Sequence, residues 1–225
     1  MLAGDSVPGQ TPLPDLSGLR NRSVRTMGEL NALEAENIRR AVLRYLASRP
    51  SVRAAPFDEA WFRRLHRQMF GEVWTWAGEY RRHETNIGSA PHRIELAMHG
   101  LVEDLRAWHA SGMGMIEQAA RLHHRAVQVH PFPNGNGRWS RMLASVWMRR
   151  HGLAPFRWPE ESIGGASVIR AGYLEALRAA DAGDLQPLVR LHERHTAAQN
   201  AHGPVFRRGR ELKRGGRESN PQPPA

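Results

Sequence analysis

The stretch His130-Pro131-Phe132-Pro133-Asn134-Gly135-Asn136-Gly137-Arg138-Trp139-Ser140-Arg141 constrains this chain more than any other part of it. Pro131 disfavours helix at His130 and Pro133 prevents a simple continuation, so one helix must end here and the chain must turn before the next begins. The imidazole is left at a helix mouth. Asn-Gly-Asn-Gly then brings backbone amides forward with little side-chain obstruction, ahead of an amphipathic helix whose unpaired N–H groups and dipole attract an anion. Arg138 and Arg141 lie three apart, on one helix face, where both forks can reach phosphates. A histidine poised beside them is a natural general base toward a hydroxyl, so the segment reads as transfer chemistry at a phosphate. It is not a Walker A loop, because no Gly-Lys-Ser/Thr follows, and not a dinucleotide fingerprint, because Ser140 fills the third glycine slot.

Helical spacing recurs on both sides of this turn. Thr26-Met-Gly-Glu29 is a capping box, followed by Leu30, Leu33, Ile38, Val42, Tyr45 and Leu46, with Pro50 ending the run. A second helix starts near Asp58 with Trp61, Phe62, Leu65 and Met69 on one side, and leads into the aromatic turn from Val73 to Gly78. Further helical patterns cover Ile94 to His109, Ile116 to Val129, Asn136 to just before Gly152, Ala166 to Ala180 and Leu185 to Ala198. Arg82 to Arg93 lacks that period and carries Asn86, Gly88 and Pro91, which suits a small hairpin or an ordered loop. The fold class is mainly α. The 225 residues, 40% hydrophobic, suffice for one core with extensions. Residues 1–25, rich in Pro, Gly and Ser, read as an arm over the domain; residues 26–200 form the domain; residues 201–225 read as a basic disordered tail.

The formal charge is +10, carried almost wholly by arginine. Between Arg207 and Glu218 six cations face two anions, so that short segment supplies much of the excess, and the other arginines read as a solvated surface rather than a nucleic-acid interface. With Cys 0, disulfides, thiolate metal sites and cysteine nucleophiles are excluded. The N-terminus has neither a basic nor an apolar signal region and no run approaches a membrane span, so the expectation is a soluble, cytoplasmic protein without a membrane partner. His192 and His195 have ligand-like spacing but no third ligand in view. Trp61, Trp74, Trp76, Trp108 and Trp147 read as core and turn packing rather than as a base-stacking platform.

The segment from His130 to Arg141 closely resembles the Fic motif, HxFx(D or E)GNGRxxR, and Arg121 to Val129 resembles the helix that precedes it. Gln10 to Leu13, Glu29 to Asn31 with Glu36 to Ile38, Trp76 to Gly78 and Asn86 to Gly88 are similar to the subgroup called mobile mystery protein B. The resemblance implies a Fic fold, a helical bundle with a small β-hairpin flap beside the active-site loop. It also implies a protein adenylyltransferase that moves AMP from ATP to a Ser, Thr or Tyr hydroxyl of a target protein, with Mg2+ bridging the nucleotide phosphates. By motif position His130 would deprotonate the target and Phe132 would anchor the loop. Gly135, Asn136 and Gly137 would hold phosphates through their amides, Arg138 would grip the β/γ end and Arg141 the γ-phosphate. The segment from about Thr85 to Arg93, with Asn86, Ile87 and Gly88, would be the flap that aligns the target backbone as an added strand.

Asn134 departs from that pattern, since the family has Asp or Glu there to hold the metal; an amide oxygen still ligates a hard cation but without formal charge. Regulation is a second expectation. Many Fic proteins carry an inhibitory helix of pattern (S or T)xxxE(G or N), whose glutamate pairs with the second motif arginine. Glu36-Asn37 on the first helix matches its end, with Ala32 in the hydroxyl position, and Glu34 is a rival. Three readings stand beside the transferase: a nucleotide-binding regulator with little turnover, a transferase of another phosphate-containing donor, and, resting on charge alone, a nucleic-acid-binding module. Self-modification, a homodimer and a separate antitoxin chain are further partners the resemblance leaves open.

Overall fold

The computed structural model describes residues 16–159 and 167–197. Among the described residues there are seven α-helices and one 3-10 turn: α1 (Met27–Leu46), α2 (Glu59–Phe70), the 3-10 turn Pro91–Arg93, α3 (Ile94–Ala110), α4 (Met115–Val129), α5 (Asn136–Arg150), α6 (Val168–Asp181) and α7 (Gln186–Ala197). Three of the starts are capped by side chains that the local sequence supplies. At α1 the Thr26 hydroxyl accepts from the Glu29 amide while the Glu29 carboxylate accepts from the Thr26 amide, the reciprocal box expected there. Asp58 caps α2 by accepting from the Trp61 amide, and Ser167 caps α6 by accepting from the Arg170 amide.

Helix α5 is the centre of the molecule. Trp139, Leu143, Ala144 and Val146 are wholly buried, and Asn136, Ser140, Arg141 and Ser145 are buried with them, so this helix has partners on nearly every side. Around it Phe57, Trp61, Phe62, Phe132, Trp139 and Trp147 meet in edge-on and tilted pairs. Truncating one such aromatic costs ~3–5 kcal/mol, so aromatic packing against α5 outweighs the exposed helix-surface ion pairs Arg39–Glu36 and Arg106–Glu103 in holding the fold. A smaller apolar cluster, Tyr173, Ala176, Leu177 and Ala180 with Leu188 and Val189, seats α6 and α7 on Ala120 of α4. Trp61, Trp74 and Trp147 are buried and Trp76 and Trp108 half-buried, in keeping with a packing role.

Two segments without helical structure are held by specific backbone contacts. Residues 16–25 lie along the aromatic turn after α2: Leu19 and Val24 are buried, the Arg20 amide donates to the Val73 carbonyl at 2.9 Å, and the Thr75 amide donates to the Gly18 carbonyl at 2.9 Å. The connection from Arg82 to Arg93 takes the loop form rather than the small hairpin, with no strand ladder among the described residues. The Arg81 guanidinium takes the carbonyls of His83 and Ser89, and Pro91 has no N–H to offer. The expected arm over residues 1–15 and the tail over 198–225 lie outside the described residues.

Among the described residues no helix is long and apolar enough to cross a membrane, and no group of three His, Cys, Asp or Glu could hold a metal. His192 instead pairs with a histidine of α4. Its Nδ1 donates to the Leu188 carbonyl at 2.8 Å, so its Nε2 accepts from His123 Nδ1 at 3.2 Å, and His123 Nε2 accepts from the Tyr173 hydroxyl at 2.9 Å.

Burial pushes six histidines below their ordinary value near 6.5: His66 to about 3, His130 and His192 to about 4, His123 well down, and His151 and His195 downward. The unfolded chain therefore binds protons at these sites at a pH where the folded one does not, so their contribution is complete above about pH 6.5 and is lost as pH falls toward 4. The midpoint of thermal unfolding is expected to drop steadily from pH 7 to pH 4 and to be flat from pH 7 to pH 8; circular dichroism melts across that range check it.

Candidate active site

The turn between α4 and α5 is built by two left-handed residues. His130 closes α4 at φ 50° and ψ 57°, and Gly135 opens α5 at φ 77°. A side chain at position 135 would be strained by that φ and would also strike the Phe70 ring, because an added Cβ falls 2.6 Å from Cζ. Between the two the loop is fastened from inside. Phe132 is wholly buried and its ring stacks on His66 at 3.7 Å between centroids. The buried side chain of Asn136 clamps Phe132 in both directions, accepting from its amide at 2.9 Å and donating to its carbonyl at 2.8 Å.

His66, unremarked in the sequence, completes that anchoring. Its Nδ1 accepts from the Gly78 amide at 3.0 Å, which fixes the proton on Nε2, and Nε2 donates to the Asn134 carbonyl at 3.0 Å. The low pKa of this ring, caused first by its burial, keeps that arrangement neutral. A histidine on the apolar face of α2 was the only hint available, and nothing in the sequence says that it reaches the loop sixty-eight residues on.

Arg81 is the second residue that sequence reasoning missed. Its Nε donates to the His130 carbonyl at 2.7 Å, one terminal nitrogen donates to the His83 carbonyl at 2.9 Å, and the other to the Ser89 carbonyl. Its backbone amide donates to Pro131 at 2.9 Å. One guanidinium thus joins both ends of the flap loop to the backbone of the candidate base. Gly88, at φ 111°, brings the flap so near that an added Cβ would lie 2.6 Å from His130 Cβ. Thr85 turns its hydroxyl onto the Ile87 carbonyl at 2.6 Å, while Asn86 and Ile87 stand exposed at the tip.

The His130 ring is buried, and burial, then the Arg81 charge, lower its pKa to about 4 against an opposing hydrogen bond to the Val127 carbonyl. It is therefore neutral at pH 7, the state in which an imidazole can accept a proton. Beside it the first-turn amides of Asn136, Gly137 and Arg138 have no acceptor among the described residues, as at any open helix start. Gly135 differs from the expectation, because its amide already donates to Asn134 Oδ1 at 2.6 Å. Arg141 is buried under the Tyr173 ring at 5.6 Å, and its Nη1 lies 3.5 Å from where a Cβ on Gly137 would be, so its fork sits over the open turn.

The carboxylate on α1 is Glu34, and its partner is Arg138. Glu34 is buried; Oε2 accepts from Arg138 Nη1 at 2.6 Å and Oε1 accepts from Trp74 Nε1 at 2.6 Å. The Arg138 guanidinium also lies over the Phe70 ring at 4.9 Å. Glu36, the expected inhibitory residue, is two positions further on, about 200° round the helix, and faces solvent with Arg39 at 2.7 Å and Arg40 at 3.1 Å. The pairing with Arg141 is likewise corrected. The (S or T)xxxE(G or N) pattern selects Glu36, whereas the packing of α1 on α2, where Asn37 and Tyr45 bond to Gln68 and Tyr45 meets Trp61, turns Glu34 inward.

The Fic/DOC family model matches residues 56–148. The protein adenylyltransferase Fic of Drosophila ananassae is 34% identical over 132 residues, 56% of this chain and 25% of that one. Protein adenylyltransferase fic-1 of Caenorhabditis briggsae is 34% identical over 139 residues, 60% of this chain and 26% of that one. The chain thus spans about a quarter of the length of these curated relatives. Among solved structures, Fic-1 from C. elegans superposes with a TM-score of 0.62 at 28% identity, covering 73% of this chain and 48% of that one. BepC of Bartonella tribocorum, solved with bound AMPPNP, shares the fold at a TM-score of 0.61 and 19% identity, over 80% of this chain and 92% of that one. The His130 to Arg141 turn lies within that match, and residues 56–148 of this chain carry a Fic/DOC family domain.

Proposed function

We propose that the chain is a protein adenylyltransferase that moves AMP from ATP to a Ser, Thr or Tyr hydroxyl of a target protein, and that Glu34 holds it back. The observation that carries this reading is a neutral, buried His130 fixed beside an open helix start that bears Arg138 and Arg141. The amides of Asn136, Gly137 and Arg138 would receive phosphate oxygens. Arg141 would hold the far end of the triphosphate, with Arg138 joining it once released from Glu34. The basic nitrogen of His130 would take the hydroxyl proton as the target oxygen bonds to the α-phosphorus; the bond to the β-phosphate oxygen breaks and pyrophosphate leaves. The names of the Drosophila and Caenorhabditis relatives and the AMPPNP bound to BepC support the donor and the reaction class. Self-modification fits the same chemistry, and a cysteine-free chain suits a cytoplasmic setting.

Magnesium fits less well as a resident ion. The side-chain oxygen the loop offers at the family's metal position is Asn134 Oδ1, which is neutral and already accepts from Gly135. Magnesium would then come with ATP and supply charge neutralisation at the phosphates, while the chain contributes the amides and guanidinium groups. The engaged Asn134 oxygen together with the Glu34–Arg138 pair is also what favours the second reading, a nucleotide-binding regulator with little turnover. Incubation with α-labelled ATP, followed by intact-mass measurement of the chain and of co-purified proteins, separates the two, since only a transferase leaves covalent AMP.

Three outcomes are expected. His130→Ala leaves ATP binding near the wild-type level and lowers transfer by ~10²- to 10⁴-fold, the usual share of a general base; calorimetry and label incorporation read the two effects separately. Glu34→Gln keeps an amide oxygen for Trp74 but removes the charge from Arg138, and raises transfer at least about tenfold, ~1.4 kcal/mol, whereas Glu36→Gln changes nothing; a loss of activity in Glu34→Gln would make the pair a support for Arg138 instead. Asn134→Asp restores a charged ligand, so the magnesium concentration for half-maximal transfer falls in a titration of the two proteins side by side.

A further inference from the structure

At the base of the flap an open cleft of about 650 Å³ lies between α2 and the start of α3. Arg63 and Arg67 of α2 line it together with Arg81 and Arg82 at the base of the flap. Tyr80 and Pro91 give it an apolar wall. The guanidinium groups differ in what they have left to offer. Arg81 is spent on three carbonyls. Arg63 is held through Nε alone, which donates to the Gly78 carbonyl at 2.9 Å, and its guanidinium stacks on the Tyr80 ring at 5.0 Å. Arg67 is held the same way, with Nε toward the Ala77 carbonyl at 3.4 Å. Among the described residues neither has a carboxylate within ion-pair distance, and Arg82 has none either. The terminal nitrogens of Arg63 and Arg67 are therefore oriented by backbone anchors with no acceptor among the described residues, the condition under which a guanidinium fork loses least freedom on taking a carboxylate.

Resting on the transferase reading, we infer that this cleft receives an acidic segment of the target protein next to the hydroxyl that His130 activates. Three features select a peptide rather than another anion. Arg81 belongs both to the cleft and to the backbone of His130, so the cleft opens beside the reacting centre. Glu79 and Glu95 line it among the four arginines, so a uniform polyanion such as a nucleic-acid backbone would meet like charge at two places, whereas spaced carboxylates can avoid them. The stacked Tyr80 and Pro91 offer apolar contact that a bare phosphate would not use. The nucleotide has its own cations, Arg138 and Arg141, on α5.

The test uses the full chain and two fluorescent peptides of equal length, one with a serine between pairs of glutamates and one with the same serine between pairs of glutamines. Anisotropy titrations at about 50 mM and about 200 mM salt read binding without turnover, so the result stands whether or not AMP is transferred. The wild type is expected to prefer the glutamate peptide by at least about tenfold, ~1.4 kcal/mol, more strongly at the lower salt. That preference should fall below about threefold, ~0.7 kcal/mol, in Arg63→Gln/Arg67→Gln and in Arg82→Glu, the last being an exposed position whose change cannot unfold the domain. Arg22→Gln/Arg53→Gln, which removes the same charge at exposed sites outside the cleft, should retain it. Equal binding of the two peptides by the wild type, or equal loss in the control pair, overturns the inference. So does a drop in ATP affinity in the cleft variants with the peptide preference intact, which would give the cleft to the nucleotide.

Discussion

Everything at the candidate site depends on keeping six residues, His130 to Gly135, in a turn that opens and closes in the left-handed region. A backbone of that shape is not self-supporting, because the non-glycine residue at its start carries a steric cost and the prolines remove two of its amide donors. The fold meets the cost with three side chains from elsewhere. Asn136 clamps Phe132 from within the next helix, His66 holds the Asn134 carbonyl from α2, and Arg81 holds the His130 carbonyl from the flap. Each uses a backbone group of the loop, so the open amides of the helix start are not consumed in holding it.

The flap is a loop and not a hairpin, and its backbone is held from outside: the carbonyls of His83 and Ser89 accept from Arg81. A flap stapled through a buried guanidinium is tied to the position of His130 instead of to its own second strand. Contact at Gly88 makes that tie steric as well as polar, since no residue with a Cβ could pass so near the histidine.

Charge is distributed to match. Three guanidinium groups of the site are each assigned a different neighbour: Arg138 a carboxylate and the Phe70 face, Arg141 the Tyr173 face, and Arg81 backbone carbonyls. Glu34 is the only carboxylate the described structure pairs with a motif arginine, and its burial makes the pair sensitive to what else enters. Solvent-facing pairs such as Glu36 with Arg39 and Arg40 carry no comparable consequence, because water competes for both partners.

The sequence by itself determined the helices and the chemistry of the turn. Caps at Thr26, Asp58 and Ser167, the apolar spacing of each helix, the two prolines and the Gly-Asn-Gly start of α5 are local signals, and local backbone physics acts on them directly. His130, Asn134, Arg138 and Arg141 were legible for the same reason, being neighbours along one short segment. What the tertiary structure decided is which distant groups reach that segment. Glu34 and Glu36 are alike in type and two positions apart, and only the seating of α1 on α2 turned one to Arg138 and the other to solvent. His66 and Arg81 carry no motif at all; their roles arise where α2 and the flap happen to meet the turn. Periodicity reports which face of a helix is buried, but it cannot report what lies opposite that face, and contacts across long sequence separations are set by the packing of whole elements.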